Sequence, residues 1–283
     1  MSKDYFKAKY ESLGEALLAS QSTAPPQWTD RASRRNGDSK WSGTNSFESA
    51  ITLAKDGWPM GRAKMAQAVS SAVSASYYNN TPAMHLDVAG AYPVAAIAAA
   101  GDAFCMVSPA PVSDRARPIV RLLISSANSQ AVRAERIFNY GAALLSIIDG
   151  LEQADYRVEL ALAYAGEKNS HKNFFEIVIK QAQEILDLDR MAFCLSNASM
   201  FRRIVFSLYE LNLPSYYEGG YGTPRIPERG KDFEESQILL PSAQSFDSLD
   251  SPQEAVKAIA PTIQKLLIDR FSDFPPIIFD RAA

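Results

Sequence analysis

Between Pro118 and Lys180 the chain carries a strand signal, a long helix signal and two further strand signals, and their spacing leaves few folds open. Ile119-Val120-Arg121-Leu122-Leu123-Ile124 is apolar except at Arg121, as suits a strand buried on both faces of a sheet. The segment 131–154 follows with Ile137, Leu144, Leu145, Ile148 and Leu151 on one helical stripe. Gly141 within that stripe predicts a close approach of this helix to the sheet. Residues 157–164 alternate Val158, Leu160 and Leu162 with period two, and 174–180 is another strand. The polar stretch between them is too short for a helical crossover, so the two strands pair as an antiparallel hairpin.

The small polar corner leaving the first of these strands, Ser125-Ser126-Ala127-Asn128-Ser129, is where many α/β proteins hold a phosphate or a metal. It has no carboxylate, no lysine and no glycine cradle. A divalent cation needs anionic oxygen to offset its dehydration, so no metal and no cofactor is assigned. The serines can still cap the following helix and meet a phosphate or a backbone group.

Upstream, residues 5–19 read as a short amphipathic helix with Tyr5, Phe6, Tyr10, Leu13, Leu17 and Leu18 near helical spacing, stopped by Pro25-Pro26. A polar, basic, tryptophan-flanked arm runs from Gln27 to Gly43. Asn45 and Glu48 form a capping-box-like start for a helix with Phe47, Ala50, Ile51 and Ala54 buried, and Gly57 ends it. Pro59 opens a second helix. Residues 87–93 read as a turn, followed by a short alanine-rich helix to Gly101 and a short strand at Met106-Val107. Downstream, 186–212 reads as two helices broken near Asn197, and 213–230 as a long loop with three prolines and four glycines. A short strand at Ile238-Leu239-Leu240 precedes a helix capped by Asp250 or Ser251, and Pro275-Pro276-Ile277-Ile278-Phe279 supplies a last strand.

Composition matters here for what it excludes. The chain has 283 residues, and its longest apolar run, Val94 to Ala100, falls short of the roughly 20 residues a membrane span requires. Met1 to Lys7 lacks a signal-peptide core. Cys105 and Cys194 form no disulfide framework, which points to a reducing cytoplasm and to two small buried hydrophobes. The net charge of −3 hides seven basic against three acidic residues between Arg31 and Lys64, and five against nine from Lys231 onward. Such a basic front suits a polyanion only weakly, and a solvated surface with no ligand is the commoner outcome for so modest an imbalance.

Strand, long helix, antiparallel hairpin, helices, strand, helix, strand resembles the von Willebrand factor A-type fold over about Pro118 to Asp280. The resemblance implies a doubly wound, mostly parallel α/β sheet with an antiparallel edge hairpin, here without the Asp-x-Ser-x-Ser metal motif of metal-binding members. Two regions follow: a helical N-terminal region with a basic aromatic arm over 1–112, and an A-type-like α/β domain over 113–283 with a long loop at 213–236. The whole chain also resembles a family of uncharacterised bacteriophage and mobile-element proteins. That likeness rests on Trp41-Ser42-Gly43 with Ser46-Phe47-Glu48-Ser49-Ala50 and on Gly57-Trp58-Pro59-Met60-Gly61. It extends through Asp87-Val88-Ala89-Gly90, Gly101-Asp102, Met106-Val107, Gly141-Ala142-Ala143 and Leu151-Glu152. It implies a phage or plasmid context, hence a host cytoplasm.

Familiar catalytic motifs are missing. His85 and His171 stand far apart on predicted loops, there is no Walker A loop, dinucleotide fingerprint or nucleophile elbow, and Asp187 with Asp189 sits where acids complement a helix dipole. Aromatic residues interleaved with basic ones are the remaining signal. Trp28, Arg31, Arg34, Arg35, Lys40 and Trp41 form one cluster, Trp58, Arg62 and Lys64 a second, and Tyr216, Tyr217, Tyr221 and Arg225 a third. In the third, Gly219, Gly220 and Gly222 let the loop bend. Unpaired bases are held by this mixture, cations along the backbone and rings against the bases. Trp58 at a helix corner also reads as core, and Arg202-Arg203 as either a phosphate contact or an internal ion pair. The expectation is a non-enzymatic, phage-type single-stranded DNA-binding accessory protein for replication, recombination or transcription. It would act as a homo-oligomer alongside phage or host replication or transcription proteins. The alternatives are a metal-free A-type scaffold docking a protein partner and, behind it, a nucleic-acid-processing enzyme.

Overall fold

Alternation of side chains, rather than helical spacing, governs the start of the chain. In the computed structural model, residues 5–22, 32–34, 42–72, 86–87, 92–93, 106–107, 118–126, 128, 132–153, 156–168, 171–212 and 223–269 are described. Tyr5–Tyr10 is a strand, β1, and only Leu13–Ser20 is helical, as α1. Phe6, Ala8 and Tyr10 face the main core, while Tyr5 packs on the opposite side of the sheet. The helix predicted over 5–19 is therefore a strand and a helix. Its overlooked signal is Ser12, whose hydroxyl accepts from the Glu15 backbone N–H at 3.1 Å and starts α1.

The remaining elements follow in order. Phe47–Asp56 is α2 and Pro59–Ala72 is α3. Leu86–Asp87, Tyr92–Pro93 and Met106–Val107 are β2, β3 and β4, a small antiparallel sheet with β4 in the middle. Ile119–Ser125 is β5, Ala134–Gln153 is α4, Arg157–Lys168 is β6 and His171–Lys180 is β7. Leu188–Ser196 is α5; after a π-helical run at Met200–Val205 comes α6, Phe206–Asn212. Thr223–Pro224 is β8, Gln237–Leu240 is β9 and Pro252–Ile268 is α7.

The main sheet is mixed, in the order β1-β7-β6-β5-β9, with β8 added beside the end of β6. β5 runs parallel to β6 and β9 and β1 runs parallel to β7, while the β6–β7 hairpin and the short β6–β8 pair are antiparallel; because β1 lies outside β7, the hairpin is inside the sheet and not at the edge expected for it. The hairpin is longer than predicted. Its ladder runs out to Lys168 opposite His171, so polar residues expected in a loop continue the pairing.

Every described helix contributes to one large apolar cluster, which also takes Val120, Leu122 and Ile124 from β5 and Leu160 and Leu162 from β6. The smaller cluster on the other face consists of Leu123, Ala161, Ala163, Ala165, Phe174, Val178 and Phe233, with no helical residue among them. Among the described residues the sheet is thus not wound on both sides. β6 presents alanines there, and the segment 225–236 lies against them through Phe233. β1, α1, α2 and α3 share the large cluster with the later elements, so the boundary drawn at 112 does not separate two cores.

Several local expectations are met and two are corrected. Gly57 ends α2 with φ 92°, Asn197 breaks the helix pair, and Ser251 caps α7 by accepting from the Glu254 N–H. The cap of α2 is Ser46, accepting from the Ser49 N–H at 3.1 Å, not Asn45. Gly141 admits a neighbouring helix rather than the sheet, since a Cβ there would lie 2.5 Å from Ser196 Cβ. The helix expected before Gly101 and the strand expected at 275–279 lie outside the described residues. No described helix is long and apolar enough to cross a membrane.

Candidate nucleic-acid interface

Of the residues expected to meet nucleic acid, Trp28, Arg31, Arg35, Lys40, Trp41, Tyr216, Tyr217 and Tyr221 lie outside the described residues. Arg34, Arg62, Lys64 and Arg225 are described, and three of the four have internal partners.

The arm is fastened to the π-helical run and α6. Ser33, fully buried, donates its N–H to Glu210 Oε1 at 3.0 Å and its hydroxyl to Glu210 Oε2 at 2.5 Å. Its carbonyl accepts from Arg203 Nη1 at 3.1 Å, and Arg203 Nη2 also reaches the Thr44 carbonyl at 3.2 Å. Thr44 Oγ1 lies 2.6 Å from Ser199 Oγ, which in turn donates to the Ser42 carbonyl. One guanidinium therefore holds the chain on both sides of residues 35–41. Arg203 is buried and committed to this clasp through two backbone carbonyls. Arg34 donates to the Ser20 carbonyl at 3.0 Å, lies 3.4 Å over the Phe47 ring and is 3.8 Å from Glu48.

At the α2–α3 corner, the Trp58 N–H donates to the Asp189 carbonyl at 3.0 Å, and its ring meets Phe138 edge-on at 6.4 Å. Trp58 is half-buried against the large cluster, which favours its structural reading. Gly57 lets α5 come in here; a Cβ would stand 2.5 Å from that of Asp189. Arg62 pairs with Asp189 at 3.2 Å, while Lys64 is exposed. Asp187 caps α5, accepting from the Asp189 and Arg190 N–H groups, as its dipole reading requires.

Arg225 is drawn inward by a carboxylate the sequence reading left out. Asp232, with a fully buried side chain, accepts from both Arg225 terminal nitrogens, from the Tyr5 hydroxyl at 2.5 Å and from the Glu228 N–H at 2.7 Å. Arg225 also donates to the Asn173 carbonyl at 3.2 Å. Burial alone would raise the Asp232 carboxyl; the hydrogen bonds from Arg225 and Tyr5 outweigh it and hold the group below its usual range. Burial and the adjacent carboxylate push the Tyr5 phenol up. Asp232 thereby straps 225–236 to β1.

The same face holds a second buried carboxylate. Glu176 on β7 accepts from Gln237 Nε2 of β9 at 2.7 Å, reaching across strands whose residues include Ala161 and Ala163. Burial pushes Glu176 upward, and Gln237, Lys9 and Lys7 only partly counter it. Alanine at every second position of β6 (161, 163 and 165) was the available signal for a face shallow enough to be crossed.

At the corner after β5, Ser126 uses both its N–H and its hydroxyl on the Ala163 carbonyl, at 2.8 and 3.0 Å. The corner thus extends the β5–β6 contact. Among the described residues no three His, Cys, Asp or Glu side chains are grouped as metal ligands. Cys194 is buried, and that burial pushes its thiol up to about 12, far from a nucleophile's range. Cys105 and His85 lie outside the described residues.

A sequence model of the family described as Domain of unknown function (DUF7192) matches residues 2–267, nearly the whole chain, so the chain belongs to that family. No curated protein and no solved structure matches it significantly.

Proposed function

We propose that this DUF7192 member is a non-enzymatic accessory protein that binds single-stranded DNA through its arm and its tyrosine–glycine segment. One observation carries the reading. The basic aromatic arm and the tyrosine–glycine segment, nearly two hundred residues apart in sequence, are both tied to the helix pair 200–212. Ser33, just before Arg34 and Arg35, is gripped by Glu210. Two residues beyond Glu210, α6 ends at Asn212, and the segment with Tyr216, Tyr217 and Tyr221 follows. A single strand needs rings and cations within reach of one another, and the Ser33–Glu210 bonds fix the described part of the arm two residues from the helix end that the tyrosine–glycine segment follows.

The run β7-β6-β5-β9, an antiparallel hairpin continuing into parallel strands, supports an A-type-like scaffold, with β1 covering the outer side of β7 where an open hairpin edge was expected. The bacteriophage resemblance supports a role in phage or plasmid replication, recombination or transcription in a host cytoplasm.

Fluorescence anisotropy of a labelled single-stranded oligonucleotide tests the reading. Binding at low salt should weaken as salt rises, and changing Tyr216, Tyr217 and Tyr221 together to Ala should remove about 1–3 kcal/mol for each base they stack. Absence of binding by the unaltered protein at low salt sinks the proposal. A second reading, docking of a protein partner, is favoured by exposed apolar residues around the Trp58–Asp189 contact. Met60 is 73% exposed and Leu188 44%, each within two residues of that bond. Salt-tolerant capture of a defined partner together with no oligonucleotide binding would select it.

A further inference from the structure

We propose that Lys7, Lys172 and Lys231 form a track for the phosphate backbone of the bound strand, alongside β1. The inference rests on the nucleic-acid reading above and extends it to residues of the sheet itself.

Three elements bring these lysines together. Lys7 stands on β1 opposite Phe174, its ammonium 5.7 Å from that ring's centroid, and donates to the Lys231 carbonyl at 3.4 Å. Lys231 lies 5.3 Å over the Tyr5 ring and 3.6 Å from Glu228 Oε2. Lys172 on β7 lies 2.9 Å from Glu228 Oε1. The exposed Glu228 carboxylate is thus shared by two of the lysines, and the third, Lys7, meets the Lys231 carbonyl and the Phe174 ring. Lys172, then Lys231, holds Glu228 below the usual carboxylate range, so it is ionised and already matched.

Glu167 stands opposite Lys172 in the β6–β7 ladder, so the three lysines meet two carboxylates, Glu167 and Glu228, and one positive charge is in excess. Asp232 is committed to Arg225 and Tyr5. Glu11 pairs with Lys9 at 3.2 Å. Glu234 acts on Lys9, and the buried Glu176 acts on both Lys9 and Lys7, but burial pushes Glu176 toward its neutral form. Positive charge therefore remains at the Tyr5 end of β1. Lysine can serve this role, because an ammonium meets a phosphate as a point charge.

Position links this patch to the tyrosine–glycine segment. The residue preceding that segment, Asn212, donates to the Tyr10 hydroxyl at 3.3 Å, at one end of β1. Just after the segment, Thr223–Pro224 pairs with β6, and Arg225 meets Asp232 beside Tyr5, at the other end. The two ends of the segment are tied to the two ends of a strand about 17–20 Å long. Lys7 lies between those anchors. The Asp232 clasp holds the strap that carries Lys231 and Glu228, so the lysines are in place before any ligand arrives.

The test compares the full chain with its K7Q/K172Q/K231Q variant, and with K257Q on exposed α7 as control, across a salt series with an oligothymidylate. Losing three phosphate contacts at roughly 0.7 each should reduce the log–log salt slope by about 2, with affinity at least about tenfold lower at low salt. K257Q should match the unaltered chain. Because K172Q also frees Glu228, the K7Q/K231Q pair is measured too and should lower the slope by about 1.4. An unchanged slope in both variants, with the unaltered chain still binding, overturns this inference alone. Equal competition by polyglutamate would overturn it in favour of an acidic protein partner. No binding by the unaltered chain overturns the underlying functional reading.

Discussion

Phe174 and Phe175 are neighbours on β7, both essentially buried, yet they are held by different means. Phe175 points into the helix side, with ring centroids 5.4 Å from Phe6, 6.4 Å from Tyr164 and 6.2 Å from Tyr209. Phe174 points to the alanine side, where Ala161, Ala163 and Ala165 lie in the same small cluster and Phe233 of the strap lies against them. On the first face, stability is spread over many apolar contacts contributed by seven helices. On the second it is concentrated in a few polar contacts that keep one strap in place. Spread stability tolerates any single loss better than concentrated stability, and it does not respond to pH.

The aromatic pair separates the two faces most strongly. Phe175→Ala should cost about 3–5 kcal/mol in denaturant unfolding, because three surrounding rings cannot all move inward to fill the space. Phe174→Ala should cost less, since an irregular strap can settle onto an alanine floor. Equal losses would remove the distinction between the faces. Next in size is Asp232→Asn, which leaves the Arg225 guanidinium without its counter-charge and should cost about 3 kcal/mol. It should also speed proteolysis within 225–236 while the helix side keeps its hydrogen-exchange protection. Uniform loss of protection over both faces would mean that the strap is not a separate unit.

The smallest effect sharpens the pH contrast. Asp232 titrates lower in the folded than in the unfolded chain, so its stabilisation is present above the unfolded carboxylate value near 3.9 and is lost as pH falls through the depressed folded value. Glu176 is raised, so its sign is opposite: the folded state is favoured below its unfolded value near 4.3 and loses that advantage as pH rises through the raised one. Glu176→Gln should therefore equal or slightly exceed the unaltered chain in stability at pH 7, with any gain gone below about pH 4. A clear destabilisation at pH 7 would show that the carboxylate is needed in its charged form.

Much of the frame is readable from residue order because local signals there act alone. The apolar run of β5, the stripe of α4 and the period-two hairpin each follow from their own side chains. Residues 5–10 mislead because Tyr5, Phe6 and Tyr10 satisfy helical spacing as readily as alternation, and only pairing with β7 decides between them. Gly141 shows that a helix approaches closely without showing what approaches. The site was less legible. Arg34, Arg203 and Arg225 look like surface cations in sequence, but Phe47, Ser33 and Asp232, each distant or unremarkable along the chain, draw them inward. A guanidinium's fate depends on which acceptors folding delivers, and that is long-range information.

The parallel pairing of β1 with β7 also sets an order of events. Tyr5 pairs with Lys172 and Tyr10 with Ile177, so β1 has no sheet partner until the hairpin has been synthesised and formed. Contacts of such long sequence separation are slow to close, and they are made after local ones. Until β1 docks, β7 carries an open edge and Asp232 lacks the Tyr5 hydroxyl, so strap and strand should lock together late, as one step in assembly.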